Sequence, residues 1–155
     1  MKNELTYSTY ESNRFNMNVY RGIIDKISIG QLQKTILKNN IDVLIFRIES
    51  EKVEQLAKLN NLGIPFLQAD TLVYYYLSLS NYQPKAFRNN DLEFVVATPE
   101  NTKLLNNMVS TIFVGYTNHY NSNPYLDKQN ITEGYQEWVA SYLSPEDNSK
   151  ICYLV

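Results

Sequence analysis

Cysteine and histidine are nearly missing from this chain, with one of each, Cys152 and His119, in 155 residues. A lone cysteine forms no internal disulfide, and the two residues together do not supply the Cys/His ligand set of an ordinary zinc site. Glycine is scarce as well. Gly22, Gly30, Gly63, Gly115 and Gly134 stand far apart, which excludes a phosphate-cradling glycine loop and a Gly-x-Ser-x-Gly nucleophile elbow. Neither sign of charge dominates: 14 basic and 16 acidic residues are scattered along the chain. Without a run of Lys and Arg there is no footprint for DNA or RNA. No apolar stretch approaches the roughly 20 residues that span a bilayer. Met1-Lys2-Asn3-Glu4 leads into polar residues rather than an apolar signal core. A cytoplasmic protein that does not bind membranes is the expectation.

What is present is globular in kind. The 44% hydrophobic content matches a packed core in one ordinary domain or two very small ones. Tyrosine is abundant, at 13 copies. A ring with a polar tip suits the wall of a sugar or nucleotide pocket and equally a half-buried sheet.

Periodicity gives an α/β chain. Residues up to Phe15 are polar and read as irregular. Val19 to Ile24 read as a strand. Ser28 with Gln31 forms a capping box for a helix striped by Ile29, Leu32, Ile36 and Leu37 and ended by Asn39-Asn40. Val43 to Ile48 is an apolar run, as in a strand covered on both faces, interrupted by Arg47, which needs an acceptor and points to an ion pair. A second helix starts at Ser50, carries Val53, Leu56, Ala57 and Leu59, and closes at Gly63, with Pro65 preventing continuation. A third strand is expected from Thr71 to Leu79, where Tyr74, Tyr75 and Tyr76 alternate across it and at least one should face a core. The order β-α-β-α-β favours a small, largely parallel sheet in an N-terminal subdomain, residues 1–80. A linker at 81–91, with Pro84, Arg88, Asn89 and Asn90, separates it from residues 92–155.

That second part opens with a strand from Leu92 to Ala97. Thr98-Pro99 supplies an N-cap and a first-turn proline. Leu104, Leu105, Met108, Val109, Ile112 and Phe113 then make one helical face. Val114 to Gln129 is a long polar and aromatic loop, and long ordered loops are often functional. Asn130 with Glu133 caps the next helix, with Ile131, Tyr135, Trp138, Val139 and Tyr142 on one side. Trp138 is read as core. Asp127 and Glu133 are read as capping residues rather than a catalytic carboxylate pair. Ser144 to Ser149 is a turn, and Ile151-Cys152-Tyr153-Leu154-Val155 is a final strand in which Cys152 is a small buried hydrophobe.

His119, within Tyr116-Thr117-Asn118-His119-Tyr120, is where polar and aromatic groups concentrate. A neutral imidazole there is suited to take a proton from an amine or to bond a substrate hydroxyl. The favoured reading is a histidine that pins its own loop, since no second catalytic group stands beside it in sequence.

From Leu92 the order strand, helix, polar-aromatic loop, helix, strand, carrying Leu92-Glu93-Phe94-Val95-Val96-Ala97-Thr98-Pro99-Glu100 and Ile112-Phe113, resembles the start of the GNAT fold of N-acetyltransferases. Glu11-Ser12-Asn13-Arg14-Phe15, Asp42-Val43-Leu44-Ile45-Phe46-Arg47, and Leu62-Gly63 leading to Asp70-Thr71-Leu72-Val73-Tyr74-Tyr75 are similar to the N-terminal domain of the dTDP-fucosamine acetyltransferase type. Phe113 to Tyr120, Asn123-Pro124, Tyr135 and Trp138 resemble that family's loop and second helix.

The resemblance implies a small βαβαβ subdomain followed by the first β-α-α-β elements of a GNAT-like fold. It implies transfer of an acetyl group from acetyl-CoA, as co-substrate of a complete enzyme, to the amine of an amino sugar or similar small acceptor such as a sugar nucleotide. By position, Tyr116, His119, Tyr120, Asn123 and Tyr125 are the implied acceptor contacts. The family's glycine-rich pyrophosphate turn and its thiolate-protonating tyrosine come later in the fold and have no counterpart here. No cofactor is therefore expected to bind this chain alone, and no catalytic residue is assigned. The alternatives are a ligand-sensing module and a non-enzymatic interaction module. The latter would pair through its C-terminal strand edge with a complementing chain or, as a homodimer, with itself.

Overall fold

The computed structural model describes residues 4–83, 85, 89, 91–143 and 149–155. The fold is mixed α/β. It divides into two compact units, Met1–Gln68 and Ala69–Val155. Of the linker expected at 81–91, Pro84, Arg88 and Asn90 lie outside the described residues, as does most of the turn expected at 144–149.

In the first unit, β1 (Glu4–Tyr7), α1 (Thr9–Phe15), β2 (Val19–Ile23), α2 (Ile29–Asn39) and β3 (Val43–Arg47) precede a 3₁₀ helix at Ser50–Leu62. The sheet order is β1-β2-β3. β2 and β3 run parallel, with Val19 opposite Val43 and Ile23 opposite Arg47. β1 lies antiparallel on the other edge of β2, with Glu4 opposite Ile23. Three expectations change here. The first is the polar N-terminal stretch, which is not irregular: it supplies both β1 and α1. The second is the strand expected over Thr71 to Leu79, which does not form. Among the described residues no strand pairs with this stretch, and β-propensity describes fit to a pleated, half-buried surface rather than a preference that acts alone. Tyr74, Tyr75 and Tyr76 are 79%, 91% and 93% exposed, so none of them faces a core. The third is β3, whose side chains are half-buried rather than covered on both faces, with Arg47 exposed at its end.

The core of this unit gathers Ile24, Ile27, Leu32 and Leu59, with Leu44, Phe46 and Leu56 against them. Helix α2 starts at Ser28 as read, yet the Ser28 side chain makes no capping bond. It ends on Asn40, whose φ of 48° places it in the left-handed region that asparagine tolerates. The 3₁₀ helix ends on Gly63 at φ 72°. Glu11 of α1 is almost fully buried, at 1% exposure, and pairs with Arg21 of β2 at 2.9 Å. The neighbouring Ser12 hydroxyl accepts the Val19 N–H at 3.0 Å.

Lys52 sits between the carboxylates of Asp25 and Glu49. Hydrogen bonding to Lys52, and then its charge, holds the Asp25 carboxyl below its ordinary 3.8. Hydrogen bonds to Asp25 and Glu49 raise the Lys52 ammonium above its ordinary 10.5. A depressed carboxylate contributes stability above its unfolded-state value and loses it as pH falls through the folded one; a raised ammonium contributes below 10.5 and loses it above. Lys52→Met is expected to return Asp25 toward 3.8, measured by NMR titration of its side chain. An unchanged Asp25 titration would remove the ion pair from this account.

The second unit contains β4 (Val95–Val96), α3 (Thr102–Ile112), α4 (Lys128–Ala140) and β5 (Tyr153–Leu154). The strands are shorter than the sequence runs suggest. They pair antiparallel, Val95 with Leu154 and Val96 with Tyr153, and the ladder continues in the Ala97 N–H bond to the Cys152 carbonyl at 2.8 Å. Thr98 and Pro99 open α3 through one 3₁₀ turn, and the Asn101 Oδ1 accepts the Thr98 N–H at 2.8 Å. Ala97, Leu105 and Leu143 form the core, with Val139, Leu154 and a half-buried Cys152 packed on it. Of the apolar face expected on α3, Leu105 and Val109 are buried, whereas Leu104, Met108 and Ile112 are exposed. Trp138, read as core, is 54% exposed and meets Tyr142 edge to face. The buried side of α4 runs instead through Ile131 and Gly134.

Candidate functional site

The polar-aromatic stretch between α3 and α4 is an ordered loop built from successive turns. Gly115, at φ 71°, makes the first reversal after α3. The Ser122 N–H bonds the Asn118 carbonyl at 3.0 Å and the Asn123 N–H bonds the Tyr120 carbonyl at 3.0 Å. The Asn123 side chain accepts the Tyr125 N–H at 3.0 Å. Asp127 ends the loop as the N-cap of α4, accepting the N–H groups of Gln129 at 2.7 Å and Asn130 at 3.2 Å. Such a cap contributes about 1 kcal/mol. The capping role read for Asp127 therefore holds, while the box read at Asn130 and Glu133 does not: Glu133 accepts from the Gln129 side chain at 2.9 Å.

Asn118 organises this loop. It is buried. Its Oδ1 accepts the backbone N–H groups of Tyr120 at 2.8 Å and Asn121 at 3.0 Å. Its Nδ2 donates to the Tyr135 hydroxyl oxygen at 2.5 Å. Tyr135 stacks on Phe113 with ring centroids 4.0 Å apart and planes 15° from parallel. Tyr116 meets both rings edge-on. The three rings form the wall of a groove of about 320 Å³, whose remaining lining includes Thr117, Asn121, Lys128, Ile131 and Thr132. Burial, and then the neighbouring Tyr116 and Asp70, raise the Tyr135 phenol above its ordinary 10.0, so it is protonated at neutral pH. A larger groove of about 370 Å³ lies at the start of α2. It contains no aromatic residue and no comparable set of converging hydrogen bonds, so the smaller groove is the better candidate.

The five residues expected to touch an acceptor are distributed unevenly. Tyr116 lines the groove. The Nδ1 atom of His119 faces Asp70 Oδ2 at 3.3 Å, its Nε2 is buried, and its ring packs against Tyr120 at 4.0 Å. This arrangement ties the loop to the segment at Asp70. Asn123 is engaged in its turn, and Tyr125 is 72% exposed outside the groove. The residues the sequence reading left out of the site are Asn118, Tyr135, Thr117, Asn121 and Lys128. Tyr135 had a signal, since it falls on the buried side of an amphipathic helix directly after the loop. Asn118 had none beyond its place beside His119.

Among the described residues, no group of three or more His, Cys, Asp or Glu is placed to hold a metal ion. Among the same residues, no helix is long and apolar enough to cross a membrane. No protein family, no curated protein and no solved structure matches this chain.

Proposed function

We propose that this chain carries the acceptor side of a GNAT-type N-acyltransferase acting on the amine of an amino sugar or similar small acceptor, such as a sugar nucleotide. The observation that carries the reading is the groove between the loop after α3 and the first turns of α4: a three-ring aromatic wall lined further by Thr117, Asn121, Lys128 and Thr132. The apolar face of a sugar ring suits an aromatic wall, and its hydroxyls suit the polar side. The antiparallel pair β4–β5, with α3, the loop and α4 between its strands, supports the GNAT-like reading of the second unit. The chain has no glycine-rich turn to hold a pyrophosphate, so acetyl-CoA, as the acyl donor of a complete enzyme, is not a ligand of these residues alone. A complete reaction consists of attack by a neutral amine on the thioester, with the developing oxyanion stabilised by a backbone donor.

The test is titration of the chain with D-galactosamine, following the Gly115, Tyr116 and Thr132 amide resonances. Saturable shifts confined to this groove are expected. Shifts scattered over both units, or none, would defeat the reading.

A second reading has its own observation. Among the described residues β5 pairs with β4 alone, and Tyr153 and Val155 are exposed beside it. Such an edge accepts another strand, from a complementing chain or a second copy. Light scattering behind size exclusion distinguishes this case: concentration-independent monomer mass at high micromolar protein removes it.

A further inference from the structure

The orientation of the Asn118 amide follows from its own hydrogen bonds. Its Oδ1 takes two backbone N–H groups, from Tyr120 and Asn121. The end facing Tyr135 is therefore the NH₂, because reversing the amide would set donors against donors. It follows that the Tyr135 oxygen is an acceptor in this contact. A phenol whose lone pair is occupied still has its own proton to give. Among the described residues the Tyr135 hydroxyl has one hydrogen bond only, the one it accepts. The ring is clamped by Phe113 and Tyr116, so Tyr135 is held in one orientation where it lines the groove.

We propose that Tyr135 is the groove's ligand-orienting hydrogen-bond donor, with its proton turned into the groove by the buried Asn118 amide. The ligand it orients is a small polar molecule with an accepting oxygen, a hydroxyl, ring or carbonyl oxygen, next to a flat face that rests on the aromatic wall. Where that molecule is an amino sugar, the inference rests on the function proposed above. The donor itself does not. Asn118 acts through Tyr135 and is a positioning residue. The raised phenol supports the assignment, since the proton stays on the oxygen throughout the physiological range.

The experiment uses the whole chain labelled at tyrosine Cζ, with two probes. Dimethyl sulfoxide accepts hydrogen bonds and has neither a donor nor an amine. D-Galactosamine adds the sugar and the amine. Both are expected to shift the Tyr135 Cζ resonance saturably. Tyr135→Phe keeps the stack on Phe113 and is expected to weaken galactosamine binding about fivefold to tenfold, with the dispersion of its amide spectrum unchanged. Asn118→Asp places an acceptor against the phenol, draws its proton away from the groove, and is expected to weaken binding by a similar factor. A Tyr135 resonance that moves with dimethyl sulfoxide but not with galactosamine upholds the donor and removes the amino-sugar reading. Galactosamine binding equally well to the wild type and Tyr135→Phe overturns the donor and leaves that reading standing. A resonance unmoved by both probes overturns the donor outright. Wild-type affinity in Asn118→Asp overturns the positioning role.

Discussion

Gly22→Ala is expected to destabilise the first unit by about 3 kcal/mol. A Cβ built at this position lies 1.8 Å from the Glu4 carbonyl oxygen and 2.8 Å from the Glu4 carbonyl carbon. These are backbone atoms of the paired strand β1, so no side-chain rotation relieves the clash. β1 must leave β2, and Leu5, which packs on the cluster of Ile24, Ile27, Leu32 and Leu59, leaves with it. Gly30→Ala is the matched control. Nothing lies within 4 Å of its added methyl, and in the first turn of α2 alanine is the better helix former by up to about 1 kcal/mol. Urea unfolding followed at residues of the first unit measures both. A Gly22→Ala midpoint equal to the wild type would contradict the register of β1 on β2.

The second large effect is expected at Asn118→Leu. Leucine is close in size, but it removes the acceptor of the Tyr120 and Asn121 N–H groups and the donor to Tyr135. Groups left unsatisfied at partly buried sites cost about 1–3 kcal/mol each, so a loss of about 3 kcal/mol in the second unit is expected. Hydrogen exchange at the Tyr120 and Asn121 amides is expected to accelerate to the rate of an open loop, while amides of β2 and β3 keep their protection. Unchanged exchange at those two amides would mean that the loop is held by its other turns alone.

These two sites mark what the sequence made legible and what it hid. The periodic elements could be read directly. Ile29, Leu32 and Ile36 recur at helical spacing, and Val43 to Phe46 is an unbroken apolar run, so α2 and β3 stand out. β1 and α1 did not, because Glu4 to Phe15 contains few apolar residues and the side chain that anchors α1 is a glutamate. Glu11 is buried through its pairing with Arg21, a contact made across 10 positions of chain, and no local pattern announces it. The reverse error occurred at Leu72 to Leu79. Tyrosines and branched residues gave a strong strand signal, yet a strand exists only where another backbone offers its N–H and C=O groups. At the site, the concentration of tyrosine, asparagine and histidine located the loop correctly. Which residues face inward depended on the turn geometry around Asn118 and on the stacking of Phe113 with Tyr135, 22 positions apart. Composition can show that such a loop is special, but the sorting into groove, turn and solvent arises only when α3 and α4 are packed together.

The proposal that the groove serves an amine acceptor while these residues offer no place for the acyl donor meets its sharpest test in calorimetric titration of the 155-residue chain with acetyl-CoA. Heats of dilution only are expected, with the groove amides unmoved in a parallel NMR experiment. Saturable binding with a micromolar Kd would contradict it, since a pyrophosphate would then be held without a glycine-rich turn.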